Sequence, residues 1–421
     1  MLDLQGAFVA EEGTAFCEVL VIGAGAAGLL AAIRAAERGR RVLVLEKNRK
    51  PGVKILMSGG TRCNLTHATD NRGIVEAFGN QGKFLHSALA ALSVADTIAL
   101  FEAEGVPTKV EETGKIFPVS NRAADVLDAL LRRLHRAGAT LALGEPVRDL
   151  AASDEAMTVV TASRTLRAAS VILTTGGQSY PGSGTTGDGY RWAEALGHGL
   201  TPRRPALVPI TTSAPWVAPL RGLTLPDVAV RVCHAECVLA SRRGSLLFAH
   251  FGLSGPVILD LSRVVSGAAN PRELRLAIDL LPERSDADLD DFLRRESLAS
   301  GKKQLAVILA DLLPRRLADI VLGLAGLAVD RKAAALARLD RQRLVAALKR
   351  LDVAISGTLG FEKAEVTAGG IDLAEIDSRT MRSKRVPRLF VAGEILDLDG
   401  PIGGYNFQAA FSTGWLAGSS A

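Results

Sequence analysis

Four cysteines are scattered through 421 residues, too few for the disulfide framework of a secreted scaffold. Long apolar runs are missing as well. Mean hydropathy is positive, at +0.21. Yet no stretch approaches the ~20 apolar residues of a membrane span, and the best candidate, Leu305 to Leu313, has only the length of a core helix. The first sixteen residues carry Asp3, Glu11 and Glu12 and neither Lys nor Arg. That argues against a secretory or mitochondrial leader and makes a cytoplasmic protein the expectation. No large excess of one charge is present: 50 Lys and Arg face 45 Asp and Glu, a net of +5. This balance permits an RNA or other anionic partner without requiring one. Cys233-His234-Ala235-Glu236-Cys237 lacks the second cysteine pair of a zinc ribbon, so both cysteines read as core residues and no metal is expected. What remains, 48% hydrophobic and 23% charged residues, suits packed globular cores in two or three domains.

The stretch around which the chain is organised is Cys17 to Asn48. Cys17 to Ile22 is an apolar run fit for a buried parallel strand. Gly23, Gly25 and Gly28 follow as G-x-G-x-x-G. The first glycine allows the sharp turn, the second leaves room for a pyrophosphate, and the third lets helix and strand approach closely. A helix beginning near Ala26 and Ala27 aims its free N–H groups and positive dipole end at phosphates; Gly39 ends it. Arg41 to Leu45 is the second strand, and Glu46 stands at its end, eighteen residues beyond Gly28. A carboxylate there can accept both hydroxyls of an adenosine ribose, and an acid argues against a 2′-phosphate. The unit fits NAD and FAD equally well.

Directly after the acid come Lys47 and then the run Gly52 to Thr66. Ser58, Gly59 and Gly60 read as a flexible polar loop. Lys54, Arg62, Asn64 and Thr66 offer donors that could wrap the rest of a dinucleotide or a flavin ring. Cys63 has no partner cysteine nearby and does not read as a redox dithiol. The pattern G-x-K-x-x-x-S-G-G-x-R-C-N-x-T resembles the HI0933-like (BaiN/YhiN-type) family of FAD-binding flavoproteins. That family usually has a third glycine where Thr61 stands here.

Leu85 to Gly105 and Asn121 to Ala137 read as helices. Short strands at 140–143, 147–150, 157–161 and 165–167 read as an accessory sheet, with Val147 a further candidate for the cofactor site. Ser170 to Leu173 is a buried strand that runs into Thr174-Thr175-Gly176-Gly177. Such an ending returns the chain to the cofactor at the strands' carboxyl ends. A second literal G-x-G-x-x-G, Gly182 to Gly187, is rejected as a fingerprint, because no βαβ unit with a ribose acid follows. Asp188 reads more as a helix cap than as a ligand.

From Thr201 prolines punctuate short strands, the pattern of a small β-barrel. The run Phe248 to Pro256 resembles a related run of the family, and His250 in it is a candidate on the substrate side. Ser285 to Asp352 carries helical periodicity, and its basic residues read as solvated faces. Cofactor-type sequence then resumes. A buried strand ends at Gly393-Glu394, and Gly403-Gly404-Tyr405-Asn406 opens a last helix whose N-terminus would face the flavin ring. This ending is also similar to the family's, and the matches run from about Val19 to Gly418.

The fold expected is α/β: a Rossmann-like, two-dinucleotide-type domain with an inserted small β-barrel and a helical subdomain. Its segments are 1–200 and 358–421 for the FAD-binding domain, 201–284 for the barrel and 285–357 for the helices. The resemblance implies an FAD-dependent oxidoreductase that reduces an activated C=C bond, of a small molecule or of a pyrimidine base in RNA. NADH or NADPH is the candidate electron donor, although no second nucleotide domain is visible. His250, Tyr405 and Cys63 are the candidate proton donors. The oligomeric state is left open. The alternatives are an oxidase or dehydrogenase that uses the flavin in the other direction, a non-catalytic flavin-binding or redox-responsive RNA- or protein-binding module, and an NAD-only Rossmann protein.

Overall fold

A computed structural model describes residues 15–421, which form two compact units. The acidic opening segment with Asp3, Glu11 and Glu12 lies outside the described residues. One unit joins the chain up to Arg204 with Glu365–Ala421; the other is Pro205–Ala364.

The first unit is built on five parallel strands in the order Leu389–Val391, Thr165–Leu173, Ala15–Ile22, Val42–Glu46, Thr140–Leu143. Every residue of Val42–Glu46 is buried, as a strand covered on both faces must be. Two short antiparallel strands, Ile376–Asp377 and Arg382–Ser383, extend the sheet beyond Leu389–Val391. A hairpin, Val147–Ala152 with Met157–Thr161, leaves it through the first half of Thr165–Leu173. From the central Ala15–Ile22 the chain builds outward on one side to Val42–Glu46 and on the other to Thr165–Leu173. The topological switch point therefore lies where Gly23 and Thr174 leave their strands, the place where such sheets bind ligands.

Two helices lie against each other over this sheet. The first, Ala26–Glu37, is buried along most of its length. The last, Tyr405–Ser420, presents Gly414 and Gly418 to it. A Cβ at Gly414 would lie 2.2 Å from the Ala27 carbonyl oxygen, and one at Gly418 2.2 Å from that of Ala31. The two helices thus meet backbone to backbone.

The continuous helix expected over Leu85 to Gly105 is instead His86–Ala91 and Val94–Ala103. The chain breaks at Leu92 because Ser93 and Asp96 form a reciprocal capping box that starts a new helix. The carbonyl of Leu92 then accepts from Ser412 Oγ at 2.7 Å and from Gln408 Nε2 at 3.3 Å, both buried on the last helix. Among the described residues no single helix is long and apolar enough to cross a membrane.

In the second unit seven strands form one antiparallel sheet, in the order Leu351–Ala354, Leu274–Asp279, Thr224–His234, Cys237–Ala249, Gly252–Ser254, Ile210–Thr211, Gly357–Thr358. Its two end strands are separated in sequence only by Ile355 and Ser356, so the sheet must curl round on itself. Ser356 N donates to Thr211 O at 2.8 Å, which continues the pairing of Gly357–Thr358 with Ile210–Thr211. The helices Pro256–Gly267, Asp286–Ala299, Arg315–Leu324 and Arg338–Lys349 share one hydrophobic core with this sheet. The expectation that Cys233 and Cys237 are both core residues is corrected. They sit on opposite strands of a hairpin that turns at Ala235-Glu236; Cys233 is buried and Cys237 is exposed.

The helix contact gives a paired test. Gly418→Ala forces a methyl group into the Ala31 carbonyl and is expected to destabilise the protein by about 1–3 kcal/mol. Gly323→Ala, on an exposed helix face with no atom within 4 Å of the new Cβ, is expected to stabilise it by about 0.5–1 kcal/mol. Chemical denaturation of the two variants should move in opposite directions.

Candidate functional site

At the switch point each glycine of the fingerprint has a distinct environment. Gly23 turns at φ +104, and its N–H donates to Leu45 O at 2.8 Å. Thr174 Oγ1 locks the turn by donating to Ile22 O at 2.9 Å and Gly23 O at 3.0 Å. A Cβ on Gly28 would lie 1.8 Å from Gly23 O, so this glycine serves packing. Gly25 differs: its backbone is extended at φ −85, and a Cβ there would meet nothing within 4 Å. It opens onto a cleft lined also by Glu46, Lys54, Val147, Thr175 and Asp188. The unpaired N–H groups at the start of Ala26–Glu37 give that wall of the cleft a positive end.

Glu46 is 8% exposed. Its two oxygens accept from Ala24 N and Asn48 N, both at 2.8 Å. Each oxygen keeps a further lone pair for a hydroxyl donor. The facing wall is the loop that follows Tyr180, the same glycine-rich run that carries no βαβ unit. Asn48 Nδ2 donates to Ser183 O at 3.0 Å. Lys47 Nζ donates to Thr186 Oγ1 at 2.5 Å and pairs with Asp188 at 2.6 Å. Asp188 therefore does not cap its helix, as the sequence led us to expect; Gly187 holds the cap position. Burial alone would raise the Asp188 carboxyl, but hydrogen bonds from Lys47 and Thr186 hold it below its ordinary value.

Lys54 reaches across to Glu394 Oε2 at 2.6 Å, while Glu394 Oε1 accepts from Thr367 N at 2.9 Å. Thr367 Oγ1 in turn accepts from Gln178 N at 2.9 Å. Gly177 lies against this pair: a Cβ there would be 2.3 Å from Thr367 Oγ1 and 2.9 Å from Glu394 Oε1. Gly176, at φ +72, and Gly393, at φ +82, make the turns on either side. A second hollow next to the start of the first helix is lined by Ala26, Gly393, Glu394, Asn406, Phe407 and Thr413. Asn406 holds its own loop, with Oδ1 accepting from Gly400 N at 2.8 Å and Nδ2 donating to Gly400 O at 2.9 Å. Gly404, at φ +96, lets the last helix begin against Thr66, where a Cβ would meet Thr66 O at 2.5 Å. Tyr405 stacks on His67 with ring centroids 4.6 Å apart, and His67 Nδ1 lies 3.1 Å from Gly403 O. A carbonyl can only accept, so that nitrogen carries the proton.

The polar loop Ser58-Gly59-Gly60 lies inside the span Val53–Thr61 as a non-helical kink. Gly59, Gly60, Thr61 and Cys63 all have left-handed φ, between 56 and 68. Thr61, at φ +68, is the strained member, because a β-branched side chain disfavours that region. Arg62 points away from the cleft, pairing with Glu111 at 2.6 Å over the Phe117 ring. Cys63 is fully buried. Burial pushes its thiol up to about 12, against a smaller opposing hydrogen bond from Ser58. Ala27 is buried under the helix contact. His250 belongs to the second unit, exposed and edge-on to Phe251 at 5.0 Å.

An ADP-containing dinucleotide fits these residues on three counts. Gly25 offers open backbone, the Glu46 carboxylate is held facing the cleft, and Thr175 Oγ1 is buried on the cleft wall without a hydrogen-bond partner. Asn64 Oδ1 and Thr66 Oγ1 are likewise buried and unpartnered. Sequence reasoning missed Asn48, Ser183, Thr186, Thr367 and His67. The glycine run at 182–187 was a usable signal for the loop, had its position after a switch-point strand been weighed above the missing βαβ unit. No group of His, Cys, Asp and Glu among the described residues could hold a metal ion.

The chain is similar to known proteins over nearly its whole length. The family model described as "HI0933-like protein Rossmann domain" matches residues 17–420. The ribosomal RNA dihydrouridine synthase of Escherichia coli is 36% identical over 402 residues, 94% of this chain and 96% of that one. The 3-dehydro-bile acid delta(4,6)-reductase of Clostridium scindens is 31% identical over 404 residues, 95% of this chain and 98% of that one. Among solved structures, a 3-ketosteroid delta1-dehydrogenase from Sterolibacterium denitrificans shares the fold. Its TM-score is 0.52 at 13% identity, covering 96% of this chain and 99% of that one.

The two glycine environments separate binding from folding. Gly25→Val, at the N-cap of the first helix, is expected to cost only about 1 kcal/mol of stability while abolishing flavin retention, read from the visible absorption of the purified protein. Gly28→Val is expected to yield no folded protein. At the kink, Thr61→Gly is expected to raise stability by roughly 1 kcal/mol through relief of the left-handed strain, measured by thermal melting.

Proposed function

The chain belongs to the HI0933-like family, and from that premise we propose that it is an FAD-dependent reductase of an activated C=C bond. We infer further that the bond is the one between C5 and C6 of a uracil base in ribosomal RNA. The observation that carries this reading is the 36% identity, across nearly the whole of both chains, to a ribosomal RNA dihydrouridine synthase. An activated steroid C=C is the second reading, favoured by the 31% identity to the bile-acid reductase. A ribosomal RNA substrate would place the protein in the cytoplasm. NADH or NADPH is the proposed electron donor.

FAD, when bound, would supply the hydride. The residues of this chain would bind, orient and exclude water. Glu46 would take the ribose hydroxyls, and the open backbone at Gly25 with the N-terminus of Ala26–Glu37 would take the pyrophosphate. The N-terminus of Tyr405–Ser420 would stabilise negative charge, because its N–H groups and dipole end are positive. The ion pair of Lys54 and Glu394 would hold the two halves of the site in register.

Reduction of a C=C bond also needs a proton at the second carbon. Of the three candidates, Tyr405 is the one we propose. It opens the last helix, is half-buried, and its ring is held by stacking on His67.

The test uses purified holoenzyme under anaerobic conditions. NADH or NADPH should bleach the flavin, and the reduced protein should convert uridine in ribosomal RNA to dihydrouridine, seen as a mass gain of two hydrogens. Tyr405→Phe should lower kcat on the order of 10²-fold with the flavin spectrum unchanged. A colourless protein that takes up no FAD would defeat the whole reading; reduction of a steroid enone with RNA untouched would defeat the RNA substrate alone.

A further inference from the structure

Positive charge is spread very unevenly along this chain. Residues 301–350 hold eleven Lys and Arg against four Asp, a net of +7, so the remaining residues sum to −2 against the chain's +5. All of that stretch lies in the second unit. Much of it is neutralised on the spot. Arg315 pairs with Asp319, Arg331 with Asp340, Arg341 with Asp290, Lys349 with Asp279 and Arg350 with Asp286, all at 2.9 Å or less.

Lys302, Lys303, Lys332 and Arg338 are different. All four are exposed, and among the described residues none of them forms an ion pair. The fold pairs the backbones of the two loops that carry three of them, Lys302 and Lys303 on one and Lys332 on the other. Gln304 and Lys332 form an antiparallel bridge. Leu305 N donates to Arg331 O at 2.8 Å, Ala333 N to Lys303 O at 2.9 Å, and Ala334 N to Gly301 O at 3.1 Å. Gly301 permits this approach, since a Cβ there would already be 3.0 Å from Ala334 Cβ. Arg338 then opens the helix Arg338–Lys349, at the end where the dipole disfavours a cation. Clustered like charges cost the folded state repulsion, and among the described residues no ion pair offsets that cost at these four side chains.

We propose that this ridge of Lys302, Lys303 and Lys332, continued by Arg338, docks the phosphate backbone of structured RNA. The proposal rests on the reading of ribosomal RNA as the substrate. Lysine ammonium groups are compact point charges without planar hydrogen-bonding edges. They suit contacts that position a nucleic acid rather than read its bases. Each phosphate they neutralise releases condensed counterions, which makes the binding salt-dependent.

The experiment compares wild-type holoenzyme with the triple variant Lys302→Ala, Lys303→Ala, Lys332→Ala, titrating a fluorescent ribosomal RNA fragment at several salt concentrations. The slope of log Kd against log salt should fall by about 2–3, at ~0.7–0.9 per lost phosphate contact. KM for RNA should rise while kcat and flavin absorbance stay unchanged and the melting temperature does not fall. Replacing the same three lysines by arginine should restore the slope. Equal slopes for wild type and the alanine variant would overturn the proposal. So would loss of binding to phosphatidylglycerol vesicles with RNA binding intact, since the ridge would then face a membrane. A wild-type protein that binds RNA through these lysines but leaves its uracil unreduced sinks only the substrate reading. One that reduces RNA with parameters untouched by the substitutions sinks only the docking ridge.

Discussion

The architecture of the first unit depends on one contact, the meeting of the first and last helices without side chains between them. Gly414 and Gly418 seat on the carbonyls of Ala27 and Ala31, residues almost 390 positions earlier in the chain. Arg38 secures the far end by donating to Gly418 O and Ala421 O, each at 3.1 Å, and Arg34 lies 5.0 Å over the Trp415 ring. Residues 27 and 31 align with 414 and 418 in the same order, so the helices run parallel. Their positive ends therefore point the same way. Because the last helix starts nine residues before Gly414, its N-terminus extends about 12 Å beyond that of the first at 1.5 Å per residue. Two positive helix ends, staggered along one edge of a sheet, suit an extended ligand that carries anionic character at more than one place.

That contact also explains where polar groups are buried. A helix that approaches another this closely must carry small residues on one face and can place polar ones on the next. Gln408, Ser412 and Thr413 are all fully buried there. Ser412 and Gln408 satisfy the Leu92 carbonyl that the helix break releases, and Thr413 Oγ1 accepts from Gly393 N at 3.1 Å. The last helix thus braces the break on one side and the Gly393 turn on the other. The broken helix and the cofactor-type loop are held by one element.

How far the sequence reveals this depends on whether a residue's role is local. The fingerprint was legible because the jobs of Gly23, Gly25 and Gly28 follow from a strand, a turn and a helix within a dozen residues. Glu46 was legible for the same reason. The loop at 183–188 was not, because its place opposite Glu46 comes from sheet order rather than from its own pattern. The break at Leu92 was hidden by continuous apolar periodicity across it, although Ser93 and Asp96 carried the capping signal. Cys237 was misread because a two-residue turn at Ala235 and Glu236 reverses the strand, and neither residue advertises a turn. In each case the missing information was long-range or was masked by a stronger local pattern.

The same distinction bears on proton supply. Cys63 sits in the motif that marks the family resemblance, which makes it attractive from sequence, but its environment works against it. It is buried completely, its thiol is pushed up to about 12, and Ser58 O accepts its backbone N–H in the kink. These features suit a residue that pins a left-handed turn. Tyr190 is excluded by similar physics: it is fully buried, and desolvation together with the nearby Glu394 carboxylate raises its phenol well above the ordinary range. Tyr405 differs from both in being half-buried, at the positive end of a helix, with an imidazole stacked on its ring. A positive helix end favours the anion left behind when a phenol gives up its proton. These contrasts are why Tyr405, rather than Cys63 or Tyr190, is the proton donor we propose.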